Sequence, residues 1–133
     1  MASLHKEIVI DAPAAHVWDA VRDVGAVHRR FVPGLVVDTR LSGGSRVVTF
    51  ANGTVLHELI VSIDDARRRL AYAAVGGAST HHNASFQVFA EGEMRSRLVW
   101  ITDVLPEAMV AAIEPVQDRG LAIMKRTLET ALT

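Results

Sequence analysis

The feature that most constrains the fold of this chain is the order in which its secondary-structure patterns follow one another. An apolar strand, Ile8-Val9-Ile10, runs straight into a helix that Pro13 can begin, with apolar residues at 14, 17, 18 and 21. Alternating strands fill the middle, and the segment after Pro106 has helical spacing and no strand pattern. A sheet between such helices can curl around the last one and leave a space in its core. We expect such a space to hold a small molecule.

Turn signals divide the chain into elements. A first helix runs from Pro13 to Asp23 or Gly25, a short helical turn covers 26–30, and a long helix starts at Pro106. Pro115 should kink or divide this last helix. The predicted strands cover residues 4–11, 35–41, 46–50, 54–63, 67–75, 81–90 and 95–104. Their short connections imply one antiparallel sheet with the helices on one side, an α+β fold.

Composition limits the classes of function. The length of 133 residues fits one domain, residues 1–133, and half of the residues are hydrophobic. Fourteen basic and 15 acidic residues give a net charge of −1, which argues against nucleic acid as a partner. The absence of cysteine excludes disulfides and thiol catalysis. No apolar run approaches the roughly 18 residues of a membrane span, so we expect a cytoplasmic protein. We expect it to be a monomer or a homodimer.

The histidines do not form a metal-site pattern. The six histidines lack the i, i+4 pairing of a helical zinc site, and His81 and His82 point to opposite faces of their strand. No phosphate-binding glycine loop or nucleophile elbow is present. We therefore predict no metal site and no cofactor.

An ordered series of residues and motifs runs through nearly the whole chain: Ile8 to Trp18, the glycine hairpin before Arg46, Asn52-Gly53, Glu58, Ile63-Asp64-Asp65, Tyr72, Gly76-Gly77, Trp100 and residues 106–128. This series resembles a START-like, or SRPBCC, domain with the helix-grip fold. This superfamily contains polyketide cyclases, lipid-transfer proteins, birch-pollen-type allergens and abscisic acid receptors. The resemblance implies a seven-stranded curved antiparallel sheet wrapped around a long C-terminal helix, with two short helices after the first strand and a ligand cavity between.

Glu58 is the main candidate for a polar group inside that cavity. It lies in a strand with apolar neighbours at 56, 59, 60 and 61. In the hormone receptors of the superfamily, the glutamate before the Asp-Asp turn faces the cavity, and the resemblance gives Glu58 that position. The alternative is a glutamate that points outward or lies at the rim, paired with an arginine. By the same resemblance Arg29 is the nearest match to a ligand-binding lysine, but a solvated arginine is the favoured interpretation.

The other candidate ligand-binding residues follow from strand parity and helix spacing. Tyr72 alternates with Leu70 and Ala74, and an inward tyrosine offers a polar tip on an apolar body. Each candidate can also be an ordinary core residue, and for His82 and Trp100 the core interpretation is favoured. Gly120 leaves space beside the helix at a cost of up to ~1 kcal/mol relative to alanine. The predicted set is Glu58, Tyr72, His82, Ala84, Phe86, Trp100, Val116 and Gly120.

Two functions remain open at this stage. The first is a binding protein for a small hydrophobic or amphipathic ligand, such as a lipid, polyketide or isoprenoid. The second is an enzyme, a polyketide aromatase/cyclase or hydratase-like protein that would use Glu58, His82 or Tyr72 as acid or base. The sequence assigns no catalytic residue, and a regulatory role with loops closing around the ligand is a weaker third possibility.

Overall fold

Seven antiparallel strands form one sheet, and a long C-terminal helix packs against its inner face. The computed structural model describes residues 2–131 of the chain. The strands lie in the order β1-β7-β6-β5-β4-β3-β2, so within the described residues β1 and β7 are the only paired strands that are distant in sequence. The elements are β1 (Ser3–Ile10), α1 (Ala14–Arg22), β2 (Val36–Ser42), β3 (Ser45–Phe50), β4 (Val55–Asp64), β5 (Arg69–Val75), β6 (His81–Ala90), β7 (Ser96–Leu105) and α2 (Val110–Thr130).

This is the α+β helix-grip architecture predicted from the sequence. Every predicted strand is present, with its ends displaced by no more than two residues. The short helical turn predicted at 26–30 is a π-helical turn at Val27–Phe31. The regular alternation of β6 holds, since Ala84, Phe86 and Val88 are buried on the inner face.

Pro115 does not divide α2, which runs without a break through that position. The proline removes one hydrogen bond, from its own nitrogen to the carbonyl of Ala111. Both residues are exposed, so water can hydrate the carbonyl that loses its partner. Within residues 2–131, no helix combines the length and hydrophobicity that crossing a membrane requires.

The hydrophobic core lies where α1 and the C-terminal part of α2 pack against the sheet. Val17 and Val21 of α1, Leu98 of β7 and Leu128 of α2 are almost fully buried in one cluster. The indole nitrogen of Trp18 also donates a hydrogen bond of 2.9 Å to Asp65, in the turn between β4 and β5. This contact attaches α1 to the tip of the β4–β5 hairpin.

Candidate functional site

A cavity of about 790 Å³ separates the N-terminal part of α2 from the sheet. That volume lies within the usual range of roughly 300–1,000 Å³ for small-molecule sites. Its walls are the inner face of β3–β7, the segment after α1, and α2 itself. Residues 51, 52, 54 and 76–79 and the start of α2 also line the cavity. Chain direction puts these segments at the same end of the sheet.

All of the predicted site residues except Ala84 line this one cavity. Glu58 and Phe86 therefore lie on the same face of the sheet, as strand parity requires. Ala84 is buried directly opposite Tyr72 and Thr102 on the neighbouring strands, but it does not contribute to the wall. Its side chain ends at Cβ, so longer side chains of the same face reach the cavity in its place. The predicted residues on the wall are Glu58, Tyr72, His82, Phe86, Trp100, Val116 and Gly120.

Glu58 forms a buried ion pair with Arg46, its direct partner across β3 and β4. Arg46 Nε donates to Glu58 Oε1 at 2.8 Å, and the two side chains are only 6% and 9% exposed. Arg46 Nη1 also donates to the carbonyl oxygen of Val24 at 3.3 Å. Sequence reasoning offered either an inward glutamate or an arginine-paired glutamate at the rim. Glu58 is in fact both inward and paired.

Aromatic side chains form a continuous cluster along the cavity wall. The ring of Phe86 stacks on Trp100 with centroids 4.6 Å apart and on Tyr72 at 6.1 Å. Phe31, from the π-helical turn, meets Phe86 edge-on at 5.1 Å. Cross-strand pairing explains the central contact, because Phe86 and Trp100 are direct partners on β6 and β7. The cluster gives the cavity an apolar, aromatic surface.

Tyr72 connects this aromatic cluster to the ion pair. Its hydroxyl oxygen accepts a hydrogen bond of 3.1 Å from the indole nitrogen of Trp100. The guanidinium carbon of Arg46 lies 5.2 Å from the centre of the Tyr72 ring, a cation–π distance. Burial, together with the negative charge of Glu58, raises the pKa of Tyr72 well above its ordinary value. Tyr72 is therefore a neutral hydroxyl that can donate its proton in a hydrogen bond.

His82 is a second titratable group on the wall. Burial lowers its pKa from the ordinary histidine value, and the charge of Glu58 opposes this shift. The imidazole is consequently neutral near pH 7. One of its ring nitrogens can donate a hydrogen bond and the other can accept one. Outside the wall, the neighbour of Glu58, His57, is exposed on the other face of the sheet.

Gln117 brings a polar group from α2 to the cavity. Its side-chain nitrogen donates a hydrogen bond of 2.8 Å to Thr102 Oγ1 on β7. Its side-chain oxygen is buried and has no partner among residues 2–131. Buried acceptors of this kind are uncommon in folded proteins, so Gln117 adds an unused hydrogen-bond acceptor to the site.

Sequence reasoning missed Arg46, Phe31 and Gln117, all of which line the cavity. Arg46 was detectable, since it has the same parity as buried Val48 and is separated from Glu58 by one short turn. Arg29, the residue matched to the receptor lysine, is exposed and does not line the cavity. Within the described chain, no group of three or more His, Asp or Glu side chains is placed to share a metal ion.

Comparisons with solved structures identify the same fold in other proteins. A protein from Thermobifida fusca is 28% identical, with a TM-score of 0.79 over 97% of this chain and 91% of its own. The di-domain aromatase/cyclase BexL of the BE-7585A biosynthetic pathway superposes with a TM-score of 0.83 at 16% identity. That match covers 97% of this chain and 47% of BexL.

A further match is norcoclaurine synthase from Thalictrum flavum, in complex with dopamine and hydroxybenzaldehyde. It is 21% identical, with a TM-score of 0.72 over 98% of this chain and 85% of the synthase. No curated protein sequence matches the chain significantly. The model of one family, described as polyketide cyclase / dehydrase and lipid transport, matches residues 1–129. With this match across nearly its whole length, the chain belongs to the polyketide cyclase / dehydrase and lipid transport family.

Proposed function

We propose that this protein binds an apolar or amphipathic small molecule in the cavity between the sheet and α2. The observation that carries the proposal is the wall itself, an apolar and aromatic surface with one buried ion pair. Ligand sites of proteins combine these features, a mainly apolar lining and a few placed polar groups. A polyketide, lipid or isoprenoid-like molecule fits this chemistry.

The aromatic cluster and the ion pair divide the wall by polarity. The rings of Phe31, Phe86 and Trp100 offer contact area for a flat or hydrocarbon part of the ligand. Arg46, Glu58 and the Tyr72 hydroxyl offer hydrogen bonds to a polar part. A ligand with one polar and one apolar region would therefore bind in a preferred orientation.

An enzymatic function is the second candidate, and the neutral imidazole of His82 is the observation that favours it. A neutral histidine near pH 7 can accept a proton, and Glu58 and Tyr72 line the same space. BexL and norcoclaurine synthase, which share the fold, are named as an aromatase/cyclase and a synthase. Turnover of a polyketide or aromatic aldehyde by purified protein, abolished in His82→Gln, would support this candidate.

The binding proposal is tested by blocking the cavity from α2. Gly120→Leu would place a side chain into the space beside Leu35 and Trp100, whereas Ala122→Leu adds the same side chain to the exposed side of the same helix. We expect the neutral dye N-phenyl-1-naphthylamine to bind the wild type and Ala122→Leu, and to bind Gly120→Leu much more weakly. Native mass spectrometry of the purified wild type should also detect retained small molecules. Equal dye binding by all three proteins would contradict the proposal.

A further inference from the structure

The charges of the cavity wall cancel one another. Among the residues that line the cavity, the titratable side chains are Arg46, Glu58, Tyr72, His82 and Arg119. Arg46 and Glu58 form an ion pair of opposite unit charges. Burial keeps Tyr72 and His82 in their neutral forms near pH 7, by raising the pKa of the first and lowering that of the second. The buried part of the wall therefore carries no net charge.

Arg119 does not change this balance inside the cavity. It lies on α2 as an exposed residue, so its charge is in contact with water. Water and salt weaken the field of an exposed charge over a distance of about 8–10 Å. The only buried positive charge on the wall is therefore Arg46, and Glu58 already neutralises it.

We propose that the cavity selects uncharged ligands over anions, and that Glu58 sets this preference by neutralising Arg46. The inference rests on the proposed binding function. An anionic head group that entered the cavity would lose its hydration, and it would approach Glu58 as closely as it approached Arg46. An uncharged ligand with hydroxyl or keto groups meets no such cost.

The hydrogen-bonding groups on the wall suit such an uncharged ligand. Tyr72 accepts a bond from Trp100, and its own hydroxyl proton has no acceptor among residues 2–131. The side-chain oxygen of Gln117 has no donor within the same part of the chain. A neutral hydroxyl or carbonyl group can use either one, since it needs a single donor or acceptor rather than a counter-ion.

Removing the charge of Glu58 should reverse the preference. Glu58→Gln keeps the volume of the side chain and an oxygen that can accept from Arg46, but it leaves the guanidinium charge uncompensated. A buried unpaired cation is costly, and an anionic ligand would relieve that cost by pairing with it. Arg46→Gln leaves Glu58 unpaired, so it should have the opposite effect and lower the affinity for anions.

A pair of dyes with one skeleton tests the proposal. N-Phenyl-1-naphthylamine is neutral, and 8-anilino-1-naphthalenesulfonate is the same molecule with a sulfonate group. We expect the wild type to bind the neutral dye more tightly. In Glu58→Gln the affinity for the sulfonate relative to the neutral dye should rise about tenfold or more, because hydrogen bonds to charged groups are the strong ones. In Arg46→Gln the same ratio should fall below that of the wild type.

The double variant Arg46→Met/Glu58→Leu is the matched control, since it removes both buried charges and leaves the exterior of the protein unchanged. It should prefer the neutral dye as the wild type does. Circular dichroism confirms that each variant is folded before its dye affinities are compared. A wild type that binds the sulfonate more tightly than the neutral dye overturns the charge inference and leaves cavity binding intact. A wild type that binds neither dye overturns the binding proposal and the inference with it.

Discussion

Glu58 and His82 lie at the same level of the sheet, on either side of Ala74. Glu58 is the direct partner of Ala74, and the register that pairs Ala73 with Asn83 brings His82 to the other side of the same alanine. All three residues line the cavity. Only the small side chain of Ala74 separates the two positions, and the charge of Glu58 acts on His82 against the larger effect of burial, which lowers the pKa of His82.

The stability of the protein should fall on the acidic side of neutrality because of His82. Burial lowers its pKa in the folded protein, so below the unfolded value of about 6.5 the unfolded chain binds more protons. The free energy of unfolding should therefore fall as the pH decreases from about 6.5 toward the folded pKa. Urea denaturation at about pH 7.5 and 5.5 measures the loss, which should be smaller in His82→Gln. The exposed His57→Gln serves as the control and should behave like the wild type.

Glu58→Gln should destabilise the protein at neutral pH. The substitution leaves Arg46 as a buried cation without a counter-ion, and breaking a buried pair in this way typically costs about 3–5 kcal/mol. Replacing both residues with apolar ones, as in Arg46→Met/Glu58→Leu, should cost much less. Denaturant titration of the three proteins measures the difference. If Glu58→Gln unfolds at the same denaturant concentration as the wild type, the ion pair does not support the fold.

Gly120→Ala should stabilise the protein. A methyl group at Gly120 would lie 3.5 Å from Leu35 and 3.7 Å from Met124 and Trp100, which are ordinary packing distances. Alanine is favoured over glycine within a helix by up to ~1 kcal/mol. We expect a rise in melting temperature with a modest reduction in dye affinity, since the cavity becomes slightly smaller. A decrease in melting temperature would mean that the neighbours cannot accommodate the methyl group.

Trp100 should report on ligand binding through its fluorescence, whereas Trp18 should not. Trp100 lines the cavity, but Trp18 is packed in the core and bonded to Asp65. Addition of a non-fluorescent neutral ligand such as 1-decanol should shift the emission of Trp18→Phe, in which only Trp100 remains. The emission of Trp100→Phe should stay constant. A response from Trp100→Phe would place the ligand elsewhere.

The sequence predicted the fold more completely than the site, for a physical reason. Strand order and parity depend on local patterns, so the inward position of Phe86 follows from alternation within β6 alone. The role of Arg46 depends on the register between β3 and β4, which places it opposite Glu58. Gln117 looked like an ordinary polar residue on a helix, and only the approach of α2 to Thr102 buries it. Ala84 had the correct parity, but its side chain is too short to reach the cavity.

The cavity also determines which part of the protein can open most easily. The face of α2 at Val116 and Gly120 borders the cavity, whereas Leu128, nearer the C-terminal end of α2, lies in the densely packed core. Local opening costs least where buried contacts are few, and a bound ligand adds contacts there. The amide hydrogens in the first half of α2 should therefore exchange with deuterated water faster than those near Leu128, and slow down when the cavity is filled. Occupancy of the cavity would then control how long the first half of α2 stays packed over the cavity between opening events, without any change in the fold.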